Sequence, residues 1–201
     1  MQQNSGEGKN SMKWLYGEIN DYTKAEYDAV YNSLAFSRKE RIDRFKLEDD
    51  RRRSLLGEML TKKLLTEEGI LSPIESAENG RPYIKDNLRY ISISHSNTAV
   101  VAAVSDSPVG IDIEQIKPVN RRLVKRICTD EEEVFINLSN EKPCDQLITE
   151  EKTLERFFVI WTAKEAWFKK QGTGITDFKK VNVLNEKREV HRKGEYIIQI
   201  V

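Results

Sequence analysis

Apolar positions along the chain keep two rhythms, one of period two and one of helical period. WLYGEI at 14–19 reads as a short strand. From 23 to 34, Tyr27, Val30 and Leu34 fall at helical spacing. SRKE at 37–40 fits a capping box, with Ser37 as the cap and Glu40 reaching back, and predicts a short helix that turns Ile42 and Phe45 inward. The longest helix of the first half is expected at 49–68. Leu55, Leu56, Met59, Leu60 and Leu64 share one of its faces, and Gly69 supplies the stop. NGRP at 79–82 is a turn, and strands follow at 90–94, 99–104 and 109–114. After QIKP comes a helical stretch, in which TDEE at 129–132 forms a second capping box with Thr129 as cap. A polar loop, SNEKPCDQ (139–146), leads to a helix over 151–170 that ends at GTG. Three strands are expected to finish the chain, around 178–184, 188–191 and 195–201.

Helices followed by strands, twice over, predict an α+β fold with antiparallel sheets, built from two similar halves. The halves are expected at 13–115 and 116–201, after a disordered segment at 1–12. At 201 residues the chain is long enough to bury a real core. Its 33 basic and 33 acidic residues cancel, which argues against bulk attraction to nucleic acid or to an anionic membrane. Cys128 and Cys144 form no CxxC pair and have no zinc-like histidine spacing. MQQNSGEGKN contains no apolar signal core, and no apolar run reaches membrane-spanning length. The expectation is a soluble, cytoplasmic, monomeric protein with free thiols and with neither nucleic acid nor membrane as partner.

GIDIE at 110–114 breaks the apolar run with two acids. On a strand, Val109, Ile111 and Ile113 share one face, and Gly110, Asp112 and Glu114 share the other. The carboxylates then stand roughly 7 Å apart by the strand's rise. Water screens them on an exposed face, or a cation sits between them. A second feature bears on that choice. In TLERFFVIWTAKEAWFKK (153–170), the stripe of Leu154, Phe157, Phe158, Trp161 and Phe168 has Glu165 in its middle. A Glu165–Lys169 pair at i,i+4 satisfies a surface acid, but it does not explain an acid within an aromatic face. A third carboxylate brought to the strand pair makes an oxygen-rich site of the kind that hard cations such as Mg²⁺ prefer. Alone, His95 is a strand-end histidine; beside a metal–phosphate site it becomes a phosphate contact. Glu132 belongs to the TDEE capping box.

Three blocks in order carry a resemblance: GRP (80–82), ISHS…VGIDIE (93–114) and WTAKEAWFK (161–169), preceded by RFKLEDDRRRSLLGEML (44–60). The chain resembles the 4′-phosphopantetheinyl transferases, of the longer single-chain type that activates peptide and polyketide synthetases, over roughly residues 14–185. The resemblance implies a pseudo-dimeric α+β fold with the active site between its halves. It implies transfer of the phosphopantetheine arm of coenzyme A to a serine of an apo acyl, peptidyl or aryl carrier protein, releasing adenosine 3′,5′-bisphosphate. It also implies roles. Asp112, Glu114 and Glu165 hold Mg²⁺, and Glu165 deprotonates the carrier serine directly or through water. Lys169 contacts the phosphate and steadies the leaving oxygen, and Ser94 and His95 meet the nucleotide end. Arg38, Arg41 and Arg81 lie where the family binds the adenine nucleotide and its 3′-phosphate. Members usually add strands beyond the position of EYIIQIV, so the second half is expected to lack its last strands. Where many members have lysine in the Gly-x-Pro turn, this chain has Arg81.

Two other classes compete. A metal-dependent nuclease also uses strand acids with a lysine, but it wants Glu-x-Lys on the strand, and here Gln115 and Ile116 separate Glu114 from Lys117. A non-catalytic coenzyme A or carrier-protein binding module has no need of three convergent carboxylates.

Overall fold

The structure, a computed structural model, describes residues 12–77, 80–85, 89–138, 143 and 145–201. The turn residue Asn79, Cys144 and most of the 139–146 loop lie outside the described residues, as do residues 1–11 of the segment expected to be disordered. Met12, the last residue of that segment, instead opens a strand and pairs with Ser105.

In chain order the elements are β1 (Met12–Glu18), α1 (Lys24–Ser33), α2 (Phe36–Asp43), α3 (Glu48–Glu67), β2 (Ile74–Ser76), β3 (Pro82–Ile84), β4 (Tyr90–Ser96), β5 (Ala99–Ser105) and β6 (Ile111–Gln115). There follow β7 (Val119–Asn120), α4 (Arg121–Ile127), α5 (Asp130–Ile136), β8 (Leu147–Ile148), α6 (Glu151–Gln171), β9 (Glu189–Lys193) and β10 (Tyr196–Ile200). The class is mixed α and β with antiparallel sheets. One three-stranded sheet has the order β1-β5-β4 and another the order β6-β10-β9.

The strand patterns explain how these layers stack. All of β5 is buried. It reads as a continuous apolar run because both of its faces are covered. Val100, Ala102 and Val104 join Leu56, Leu60 and Leu64 of α3 in one core. Ala99, Val101 and Ala103 point the other way and meet Ile111 and Ile113 of β6 and Ile198 of β10. The two sheets therefore face each other across an apolar layer. On the far side of the second sheet, Ile197 joins Phe157, Ile160 and Phe168 of α6 in a third core.

Three further expectations needed correction. Ser37 does not cap α2: the helix starts at Phe36, its N-cap is Ala35, and no side chain caps it. Arg38, in the first turn of this helix, is anchored to Glu58 of α3. Phe45 is only half-buried. Finally, 178–184 is no strand. Phe178–Lys180 is a 3₁₀ turn, and the groups that a ladder would use are taken by a buried ion pair. Lys164 Nζ donates to the Phe178 carbonyl at 2.8 Å, and the Val183 N–H donates to Glu132 Oε1 at 3.0 Å. Buried backbone groups satisfied in this way have no need of a neighbouring strand.

Candidate active site

Gly110 brings β6 and α6 together. A Cβ at this position would collide with the Ala166 carbonyl and the Lys170 nitrogen of α6. Helix backbone therefore rests directly on strand backbone, and Asp112 and Glu114, on the same strand face, look toward the helix. Lys169 Nζ donates to Asp112 Oδ1 at 2.6 Å, and Trp161 Nε1 donates to Glu114 Oε1 at 3.0 Å. The local Glu165–Lys169 pairing is thus replaced by a tertiary one, because Lys169 reaches the strand.

Strand β4 holds the same acids from its side. Its serines at 92, 94 and 96 share one face and reach across to β6. Ser94 Oγ donates to Asp112 Oδ1 at 2.6 Å, and Ser96 Oγ donates to Glu114 Oε2 at 2.9 Å. Ser92 and Ser96 also accept the backbone N–H groups of Ile111 and Gln115, at 3.0 and 3.1 Å. Hydroxyls thereby stitch the edges of the two sheets together. Ser94, read as a nucleotide contact, spends its hydroxyl on Asp112.

The electrostatics follow from this crowding. Burial first, and then the nearby Asp112, push the Glu165 carboxyl up to about 7. Burial and Asp112 also raise Glu114 above the usual carboxylate range. Among the described residues, no three His, Cys, Asp or Glu side chains form a ready-made metal cage. The donor set nevertheless fits a hard cation. Asp112 Oδ2 is buried without a hydrogen-bond partner among the described residues, and the acids around it resist ionising together.

A cavity of about 400 Å³ opens beside Glu165 and Lys169, walled by Arg81, Ser92, Phe168 and the glycine-bearing turn after α6. Asp112 and Glu114 are not on its lining. Asp112 is linked to it through Lys169, which lines the cavity and bonds Asp112. The Arg81 guanidinium packs against Gly172, where a Cβ would strike it. Gly172 also adopts φ +70°, which favours glycine, so one residue both closes α6 and leaves room for Arg81.

The other arginines divide. Arg41 Nη1 donates to the Gly80 carbonyl at 2.9 Å, at the rim of the cavity. Arg38 is 7% exposed and forms an ion pair with Glu58, itself 3% exposed, and a hydrogen bond with Ser76. Burial, and then Arg41, pull its pKa down to about 10. The reading of Arg38 and Arg41 as two charges turned toward one anion is therefore corrected for Arg38, whose partner is internal. His95 is exposed at the surface, with protein packed around it. That enclosure, followed by the charges of Arg53 and Lys169, holds its pKa below the ordinary histidine value.

Glu132 caps the Thr129 N–H at 2.8 Å, as TDEE predicts, and also pairs with Lys164 at 2.6 Å with both side chains fully buried. Sequence reading missed Ser92, Ser96, Trp161 and Lys164 as supports of the site. The Ser92–Ser94–Ser96 alternation was a usable signal, whereas Lys164 gave none, since a lysine in a helix reads as a solvated charge.

Comparison with known proteins gives the family. The family model for the 4′-phosphopantetheinyl transferase superfamily matches residues 108–197, and that for the 4′-phosphopantetheinyl transferase N-terminal region matches residues 21–107. The chain belongs to the 4′-phosphopantetheinyl transferase superfamily. It is 33% identical to the 4′-phosphopantetheinyl transferase psf-1 of Bacillus pumilus over 148 residues, which covers 71% of this chain and 60% of that protein. It is 27% identical to the transferase ffp of Bacillus subtilis over 169 residues, covering 81% of this chain and 71% of the relative. The transferase Sfp of Bacillus subtilis strain 168 is 28% identical with the same coverage. The chain thus spans 60–71% of the length of these relatives.

Proposed function

We propose that the chain transfers the 4′-phosphopantetheine arm of coenzyme A to a serine of an apo acyl, peptidyl or aryl carrier protein, with Mg²⁺ as cofactor and adenosine 3′,5′-bisphosphate as second product. The observation that carries this reading is that Lys169 of α6 bonds Asp112 of β6, and that Glu165 lies close enough to Asp112 and Glu114 to feel both charges, beside a cavity that Glu165, Lys169 and Arg81 line. Asp112, Glu114 and Glu165 are the residues that would hold the metal. When bound, it would supply positive charge against the diphosphate of coenzyme A. Glu165 is assigned to take the proton of the carrier serine, directly or through water, as that oxygen attacks the phosphorus next to the pantetheine. The bond from that phosphorus to the oxygen of the departing bisphosphate breaks, and Lys169 faces the charge that develops there. Arg81 and Arg41 are assigned to the nucleotide and its 3′-phosphate, since a guanidinium fork matches phosphate oxygens. His95 is assigned to the nucleotide end. Ser94 and Arg38 act as supports, the first for Asp112 and the second for the α2–α3 packing.

The halves are assigned as 13–115 and 116–201, in a pseudo-dimeric arrangement. In support, each three-stranded sheet is backed by one long helix, α3 or α6. No helix among the described residues is long and apolar enough to cross a membrane. A monomer acting in the cytoplasm, without nucleic acid, suits this reading. The test is direct: incubate the protein with coenzyme A, Mg²⁺ and an apo carrier protein, then weigh the carrier. A carrier that gains the phosphopantetheine mass only when Mg²⁺ is present supports the proposal. A carrier of unchanged mass, with coenzyme A bound but intact, points to a binding module.

A further inference from the structure

Away from the cleft, the start of α6 borders a second cavity that the proposed reaction does not use. It has a volume of about 150 Å³ and is lined by Arg121 of α4, Asn137 after α5, Gln146 before β8, and Thr149, Glu150 and Thr153 at the start of α6. Arg121 is 3% exposed. Its Nε and Nη2 are buried and have no hydrogen-bond partner among the described residues, and it takes part in none of the ion pairs there. Among the described residues, the other buried cations have an acid: Arg38 has Glu58, and Lys164 has Glu132. An arginine cannot escape this cost by losing its proton, so a buried, unpaired guanidinium calls for an anion.

The cavity adds donors of a second kind. Helix α6 is 21 residues long, and no side chain caps its N-terminus. The N–H groups of its first turn therefore have no acceptor within the helix, and the positive end of the helix dipole lies at the cavity. Among the described residues, Glu150 is the one acid on the lining. It is exposed, and its Oε2 accepts the Thr153 hydroxyl at 3.0 Å rather than meeting Arg121.

We propose that this cavity is a binding site for a small free oxyanion of the phosphate or sulfate class, held by Arg121 and the first turn of α6. The bound ion would complete the charge of Arg121 and join α4 to the start of the helix that carries Glu165 and Lys169 at its other end.

The test is a titration of the intact protein with inorganic phosphate at constant ionic strength, followed by amide and arginine side-chain NMR. Saturable shifts are expected at Arg121 and at Glu151–Thr153, separate from any near Lys169. Arg121→Met should abolish the first set and leave the second. Phosphate should also raise the melting temperature of the wild type, and the part of that rise owed to this site should vanish in the variant. Shifts confined to the surroundings of Lys169 and Arg81, or shifts at α6 that survive Arg121→Met, overturn the proposal. If Arg121→Met does not fold, the wild-type titration decides alone, since the absence of a saturable response at Arg121 refutes the site.

Discussion

At the scale of single residues, the candidate site is a set of acids held in place by neutral donors and one lysine. Glu165→Gln keeps the shape and removes charge and basicity. Turnover is expected to fall by at least about a hundredfold, a typical general-base contribution. The same variant reports on the crowding of the acids. With Glu165 at about 7 when folded against an ordinary 4.5, the folded protein keeps a proton that the unfolded chain has already lost. Its contribution to stability therefore falls as pH rises from 4.5 through 7. In metal-free protein, Glu165→Gln should remove that slope. Relative to wild type it should gain roughly 1–3 kcal/mol by pH 8, after allowing for solvent screening of a half-buried group. Denaturant melts of both proteins across this range decide it, and a difference that does not change with pH refutes it.

The arginines separate at the same scale. Arg38→Ala leaves Glu58 charged and buried, and should cost about 3–5 kcal/mol of stability. Arg41→Ala removes a charge at the cavity rim, with little loss of packing. It should raise the KM for coenzyme A several-fold and hardly affect the analogue lacking the 3′-phosphate. Equal weakening of both substrates, or of neither, would remove Arg41 from the nucleotide site.

At the scale of elements, the β6–α6 contact decides whether the acids meet the lysine. Gly110→Ala places a methyl group against helix backbone, which has no rotamer through which to yield. Overpacking of this kind typically costs about 1–3 kcal/mol. Because the contact also sets the Asp112–Lys169 distance, turnover should fall in protein that is still folded. Normal turnover in folded Gly110→Ala would show that the approach is not needed for chemistry. The Lys164–Glu132 pair has a different task. It ties α4, α5 and α6 to the segment after the site, through the Ile127 and Phe178 carbonyls and the Val183 N–H.

At the scale of the whole molecule, the two sheets share one apolar layer and the serine stitches between β4 and β6. Ile113, fully buried in that layer, is a direct probe. Ile113→Ala should cost about 2–5 kcal/mol and shift a single unfolding transition. Two separated transitions in wild type would show that the sheets are independent units.

The sequence by itself determined the class of fold, most of its elements and the identity of the chemical groups. Alternating runs and helical stripes marked β1, β4, β6, α1, α3 and α6, and a continuous apolar run marked β5, whose two faces are both covered. The acids of GIDIE and the acid within an aromatic stripe were conspicuous because charge in an apolar pattern demands a reason. Tertiary structure alone decided the pairing. Lys169 sits four residues from Glu165 and 57 residues from Asp112, yet its ammonium meets Asp112, because Gly110 lets the helix backbone down onto the strand. Arg38 and Arg41 carry the same charge on one short helix, yet the partner of Arg38 is Glu58 of α3, which no local spacing announces. The segment at 178–184 has strand-like residues, but it forfeits its ladder to Glu132 and Lys164, buried charges that had to be satisfied wherever the chain passed them. Local pattern dictates which side of an element is buried. Which groups then share that buried space depends on how the elements are stacked, and that information is distributed over the whole chain.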